Sequence, residues 1–160
     1  MKALLQRVSA ASVEVGAETV GAIGPGLLVL LGLDRGDDEA VSRRMLDKLL
    51  AYRVFADDQG RMNCSVADIG GGVLLVSQFT LSADTRKGLR PSFSSALPPA
   101  EAERLDDYTL GELRSRHGGA VACGQFGAEM RVKLINDGVQ SSTVFKDTRL
   151  LAEQAVIAAA

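Results

Sequence analysis

Tryptophan is absent from the 160 residues, histidine occurs once, at His117, and cysteine occurs twice. A catalytic metal needs a convergent set of His, Cys or carboxylate ligands, and so thin a supply of donors leads us to expect no metal site. A Ser-His-Asp hydrolase would have to use the single His117, and no G-x-S-x-G turn accompanies it. His117 stands beside the helix stop HGG and reads as a capping or dipole-assisted residue rather than a catalytic one. Cys64 and Cys123 are far apart and have no CxxC partner, which fits reduced thiols in a cytoplasmic protein. No apolar run approaches the roughly 20 residues that cross a bilayer, so no membrane partner is expected. The glycine turn GAIGPG lacks the GKS or GKT of a phosphate loop, and no GxGxxG follows a strand. No cofactor is expected. Acidic groups in DRGDDE, ADDQGR and LDD read as helix ends, a turn and solvated faces, without the ligand spacing of a calcium loop.

Aromatics make up only 4% of the chain, so Val, Leu, Ile and Ala must build the core. Apolar residues reach 46%, which excludes disorder, and the length suits one domain. A formal charge of −2 removes any global basic field for nucleic acid, leaving only a local patch to contact RNA.

Residues 2–8 and 12–15 have strand character, and GAE at 16–18 turns into a hairpin partner, TVGAI. The first segment reads as a strand and not a secretion signal. GLLVLLGL at 26–33 is apolar on both faces, as in a central strand covered on both sides. The period then changes. Asp37 or Asp38 can cap a helix in which Val41, Met45 and Leu49 recur at four-residue spacing. A second helix starts near Pro98-Pro99 and turns Ala102, Leu105, Thr109 and Leu113 inward, with Gly118 or Gly119 available for a left-handed cap. Residues 128–136 and 142–146 read as late strands, and the tail TRLLAEQAVIAAA as a short helix or a frayed end. The expected fold is a single α/β domain, rich in β, barrel-like or two-sheeted, with two main helices. The domain spans 1–146 and residues 147–160 form a C-terminal extension.

Two stretches remain for chemistry. SQFTL at 77–81 places a hydroxyl and an amide at the end of the apolar strand GGGVLLV; it either binds a substrate or simply closes off a sheet. The following DTRKGLRPSF gathers Arg86, Lys87 and Arg90 within five positions. That is a local cationic rim suited to phosphate, or an ordinary exposed loop. With no metal and no free base in prospect, a reaction would have to use backbone donors, hydroxyls and the substrate itself.

SQFTL with RKGLRPSF resembles the signature region of the bacterial and eukaryotic D-aminoacyl-tRNA deacylases. LLQRV at 4–8, GLLVLLGL, YRVFADDQGRMN at 52–63 and VKLINDG at 132–138 are similar to that family too, in the same order. The resemblance implies a homodimer that binds the aminoacylated tRNA 3′ end and hydrolyses the ester of a D-amino acid, or glycine, as translation quality control. It implies that Ser77, Gln78, Phe79 and Thr80 form the catalytic pocket, whose main-chain groups hold the adenosine and polarise the ester carbonyl. A Thr hydroxyl is a poor nucleophile without an adjacent base, whereas the RNA 2′-hydroxyl already lies beside the ester. Assistance from that hydroxyl is the expectation.

The sequence departs from the family at its second motif, N-x-G-P-V-T, which implies a chiral-selection loop entering the partner's pocket through a cis Gly-Pro peptide. Asn136 and Gly138 are retained, but Val139 replaces the proline and Ser141 the threonine. A cis bond costs about 0.5–1 kcal/mol before proline and about 2.5–4 kcal/mol before other residues. A trans Gly138-Val139 bond is therefore expected unless a dimer imposes strain, and it would loosen the barrier to L substrates. The alternative reading is a homologue that binds aminoacyl-tRNA ends with lost activity or relaxed chiral selectivity.

Overall fold

The Leu- and Val-rich segment Gly26–Gly32 lies inside an eight-stranded sheet, where apolar side chains on both faces find cover. The computed structural model describes residues 1–84, 90–138, 142–146 and 149–152, with residues 142–144 and 149–152 described by backbone alone. In chain order the elements are β1 (Lys2–Val15), β2 (Glu18–Ile23), β3 (Gly26–Gly32), α1 (Glu39–Ala51), β4 (Phe55–Ala56) and β5 (Met62–Cys64). There follow β6 (Gly72–Ser77), a 3-10 turn (Phe79–Ser82), α2 (Pro99–Arg116), β7 (Val121–Cys123), β8 (Met130–Asn136), β9 (Ser142–Lys146) and β10 (Arg149–Ala152).

β1 is long enough to serve four neighbours, all antiparallel. Its first half pairs with β3 on one edge and β9 on the other, and its second half pairs with β2 and β8. β6 joins β3 in parallel and β7 joins β6 in parallel. Each parallel step needs a long crossover, and α1 and α2 lie in the two that occur here. β2 returns against β6 and β7, so the sheet nearly closes on itself, while β4 and β5 form a separate small ribbon. The expected single α/β domain with two main helices is present, and of the two expected forms, barrel-like or two-sheeted, the nearly closed sheet is the barrel-like one.

The alternation of β3 and β6 divides the core. Leu27, Val29, Leu31, Val73 and Leu75 face the helices and pack with Met45, Leu46, Leu49, Leu105 and Leu113. Leu28, Leu74 and Val76 face the other way, toward Val8, Ala11, Val13 and Ile23. Each such side chain contributes about 1.5–3 kcal/mol by leaving water. Asp38 caps α1 by accepting the Val41 N–H at 2.8 Å, and Glu39 lies in the first turn as the helix dipole favours. Ala102, Leu105, Thr109 and Leu113 are buried, as their spacing predicts. The helices share one buried polar contact, Ser42 Oγ to Thr109 Oγ1 at 2.6 Å. The Thr109 hydroxyl donates to the Leu105 carbonyl at 2.7 Å, so Ser42 supplies the proton between the two hydroxyls.

Two expectations are corrected. His117 is the C-cap residue of α2, but through an extended backbone whose N–H donates to Leu113 O at 3.0 Å; neither Gly118 nor Gly119 is left-handed. The buried His117 ring instead meets Gly71 O at 2.7 Å. A carbonyl can only accept, so Nε2 carries the proton and pins the end of α2 to the turn before β6. The tail does not begin as a helix: Arg149–Ala152 pairs with β9, whose open edge offers unspent backbone groups. Residues 153–160 lie outside the described residues. Among the described residues, no helix is long and apolar enough to cross a membrane.

Candidate active site

β6 ends at Ser77, on the side of the sheet where the parallel strands finish, which is where open α/β sheets place ligands. Gln78 keeps one tie to the sheet, its N–H donating to Leu31 O at 2.7 Å, and the chain then tightens into the 3-10 turn. That turn can lie on the end of β3 because residue 32 is glycine. A Cβ at Gly32 would stand 2.8 Å from the Leu81 Cβ and 3.2 Å from Gln78 O. Inside the turn, Leu81 N–H donates to Gln78 O and Ala83 N–H to Thr80 O. Among the described residues, the N–H groups of Phe79 and Thr80 have no backbone acceptor. Two adjacent main-chain donors thus remain unspent at the strand end.

Beside them lies a cavity of about 600 Å³, within the usual range of about 300–1,000 Å³ for small-ligand sites. Ser77, Gln78 and Phe79 form part of its wall; Phe93, Phe126 and Met130 supply much of the apolar remainder. Phe79 is 62% exposed, an uncommon position for so large an apolar ring, and meets Phe93 edge-on at 5.0 Å between centroids. The Met130 sulfur accepts the Gln125 N–H at 3.3 Å, which fixes the far wall. Such a space suits a flat ring with polar edges, and the strand end offers donors to an oxygen. His117 is committed elsewhere. Among the described residues no group of three or more His, Cys, Asp or Glu converges.

Ser77, Gln78 and Phe79 therefore meet at one cavity, and Thr80 does not line it. The Thr80 hydroxyl oxygen accepts the Gln78 side-chain amide at 2.5 Å. Asn136 is exposed at the end of β8, its Oδ1 reached by Gln6 Nε2 at 3.5 Å. Gly138 has a φ of 93°, and a Cβ there would stand 2.5 Å from Arg7 Nη2. Arg7 clamps this loop to the domain, donating from Nε to Asp137 O at 2.8 Å and from Nη1 to Val54 O at 2.6 Å. Neither Asn136 nor Gly138 lines the cavity of a single copy. Arg90 is exposed in a bend, while Arg86, Lys87 and Val139 lie outside the described residues.

Sequence reasoning singled out none of Arg7, Arg35, Phe93, Phe126 or Met130 as site residues. The available signals were weak: Phe126 precedes Gly127, whose φ of 71° marks a turn, and Arg7 belongs to the motif LLQRV.

Residues 4–144 match the family model described as D-Tyr-tRNA(Tyr) deacylase. A D-aminoacyl-tRNA deacylase of Stutzerimonas stutzeri (strain A1501) is 64% identical over 138 residues, covering 86% of this chain and 94% of that protein. Its counterpart in Azotobacter vinelandii (strain DJ / ATCC BAA-1303) is 62% identical with the same coverage. Among solved structures, one named "c-Myc DNA Unwinding Element Binding Protein" superposes with a TM-score of 0.86 at 40% identity, covering 91% of this chain and 98% of that one. Matched over most of its length in sequence and in fold, the chain belongs to the D-aminoacyl-tRNA deacylase family.

Proposed function

We propose that the cavity at the end of β6 receives the terminal adenosine of D-aminoacyl-tRNA, and that the N–H groups of Phe79 and Thr80 stabilise the oxyanion formed as its ester is hydrolysed. The chain is a D-aminoacyl-tRNA deacylase, a hydrolase, by family. The observation that supports this particular use of its residues is the pair of unspent main-chain donors beside an aromatic-walled cavity. Donors fixed before the reaction can stabilise developing charge without reorganising.

Water adds to the ester carbonyl carbon, the bond to the ribose 3′-oxygen breaks, and the proton reaches that oxygen with help from the neighbouring 2′-hydroxyl. Products are the free amino acid and a tRNA with its 3′-hydroxyl restored. Thr80 is unsuited to be the nucleophile: its oxygen already accepts from Gln78, and the single histidine is held at Gly71. Ser77 and Gln78 serve as polar wall.

The working protein is a cytoplasmic homodimer in this reading, with Asn136, Gly138 and Val139 of one copy facing the cavity of the other as the chiral-selection loop. Arg7 positions that loop from behind. Arg86, Lys87 and Arg90 contact tRNA phosphates.

The test is hydrolysis of matched D-Tyr-tRNA, L-Tyr-tRNA and glycyl-tRNA against spontaneous deacylation, with a Val139→Pro protein alongside and the oligomeric state read by light scattering. Cleavage of the D and glycyl esters with the L ester spared is the expected result. Cleavage of all three, narrowed by Val139→Pro, would assign relaxed chirality to residue 139. Absence of any turnover would replace catalysis with binding of aminoacylated ends.

A further inference from the structure

Arg35 is the one charged side chain among the described residues that line the cavity. Its neighbours there are apolar or carry neutral amide and hydroxyl groups. The backbone beneath it is fixed: Arg35 N–H donates to Ser95 O at 2.8 Å, Leu97 N–H to Leu33 O at 2.9 Å, and Asp34 forms a bridge with Ala96. The guanidinium itself is held once, Nε donating to Ser94 O at 2.8 Å. Among the described residues, neither Nη group has a partner.

The nearby acids do not neutralise it. Asp34 is taken by Lys2 Nζ at 2.7 Å and by the Met1 amine at 3.3 Å. Asp37 accepts that amine at 2.6 Å and the Asp34 N–H at 2.6 Å. An exposed guanidinium, anchored at its root and lacking a carboxylate among the described residues, therefore stands at the rim of a hollow whose other described walls are uncharged. This arrangement suits an anion attached to an uncharged body.

We infer that Arg35 binds the phosphate that joins the terminal nucleoside to the rest of the strand, so that the cavity selects a nucleoside 5′-phosphate over a bare nucleoside. The inference rests on the adenosine reading given above. Base and ribose bring no charge to the walls, and the 5′-phosphate is the nearest anion on such a ligand. Planar N–H pairs of arginine match phosphate oxygens two at a time. Arg35 touches none of the reacting atoms, so its effect falls on binding and on KM.

Full-length wild-type, Arg35→Gln and Arg35→Lys proteins titrated calorimetrically with AMP and adenosine provide the test. In wild type, AMP should bind about tenfold more tightly than adenosine at low salt, the scale of an exposed charge-assisted contact. That ratio should fall near one in Arg35→Gln, be partly kept by Arg35→Lys, and shrink as salt is added. Kinetics with 3′-D-tyrosyl-adenosine and its 5′-phosphate should show the same loss of phosphate advantage in KM and not in kcat. An AMP-to-adenosine ratio unchanged by Arg35→Gln would overturn the inference, as would equal weakening of both ligands, which would mark Arg35 as rim packing. Cleavage of both esters with a phosphate advantage indifferent to Arg35 would leave the deacylase mechanism standing and remove Arg35 from it. A preference for AMP that depends on Arg35, without cleavage of either ester, would keep the phosphate site and sink the catalytic reading.

Discussion

The two faces of the β3–β6 pair are made of the same residues and end differently. On one face Leu27, Val29, Leu31, Val73 and Leu75 are sealed beneath α1 and α2. On the other, Leu28, Leu74 and Val76 are covered along the strands, yet Val76, Met130 and Val132 also line the cavity at the strand ends. Hydrophobicity demands cover on both faces but does not require that the cover reach the end of every strand. The hollow arises where β6 leaves the sheet and the 3-10 turn takes over. The sealed stretch carries stability, and the chemistry lies at the strand ends, where Leu97, Ala102 and Phe126 from the helix side meet Val76, Met130 and Val132 from the other.

The sharpest way to break this contrast is to cut into the sealed face. Leu113→Ala removes a fully buried side chain from α2 and should cost about 2–5 kcal/mol in urea unfolding. Protein that remains folded should keep its turnover. Next in size is Thr109→Val, which leaves the buried Ser42 hydroxyl without its partner and should cost about 1–3 kcal/mol. The double change Ser42→Ala with Thr109→Val should recover most of that loss, since no orphaned group remains.

A pH series sharpens the comparison further. Burial, reinforced by the Asp107 carboxylate, pushes Asp106 up to about 6, and among the described residues its Oδ1 has no partner. The folded state therefore holds this proton more tightly than the unfolded chain does. The resulting stability is complete below about pH 4 and is lost as pH rises through 6. Asp106→Asn should accordingly stabilise the fold at pH 7.5 by on the order of 1 kcal/mol, seen as a higher Tm, and give little gain at pH 4. A gain that is equal at both pH values would remove titration as the cause.

The smallest effect on stability belongs to the cavity. Phe79→Ala changes an exposed ring and should alter unfolding by no more than about 0.5 kcal/mol. Loss of a stacking surface worth about 1–3 kcal/mol per base should nevertheless cut kcat/KM strongly on D-Tyr-tRNA. A large fall in Tm with unaltered kinetics would reverse the assignment of the two regions.

Much of this contrast was legible beforehand. The two-faced strand, both helices and the inward-facing Ala102, Leu105, Thr109 and Leu113 follow from spacing, because local periodicity sets which side chains share a face. The cap was narrowed only to Asp37 or Asp38 before the structure chose Asp38. Ser77, Gln78 and Thr80, the last of which does not line the cavity, were visible as polar residues at a strand end, and Phe79 through the family resemblance. The engagement of the Thr80 hydroxyl by Gln78 was not, nor was the bond from His117 to Gly71, which joins positions 46 residues apart.

By itself, the sequence determined the β-rich α/β class, the family and the strand end at which to look. It did so because hydrophobic period and motif order are properties of the chain. Only the tertiary structure decided which residues share the cavity. The two parallel crossovers bring Arg35 and Phe93 to the end of β6, and the loop after β7 with the start of β8 brings Phe126 and Met130. Their contact is set by how helices and strands pack over long separations, a quantity that no local pattern carries. For the same reason, Arg35, the one cation among the described residues that line the cavity, became apparent only once its neighbouring acids were seen to be occupied by Lys2 and the Met1 amine.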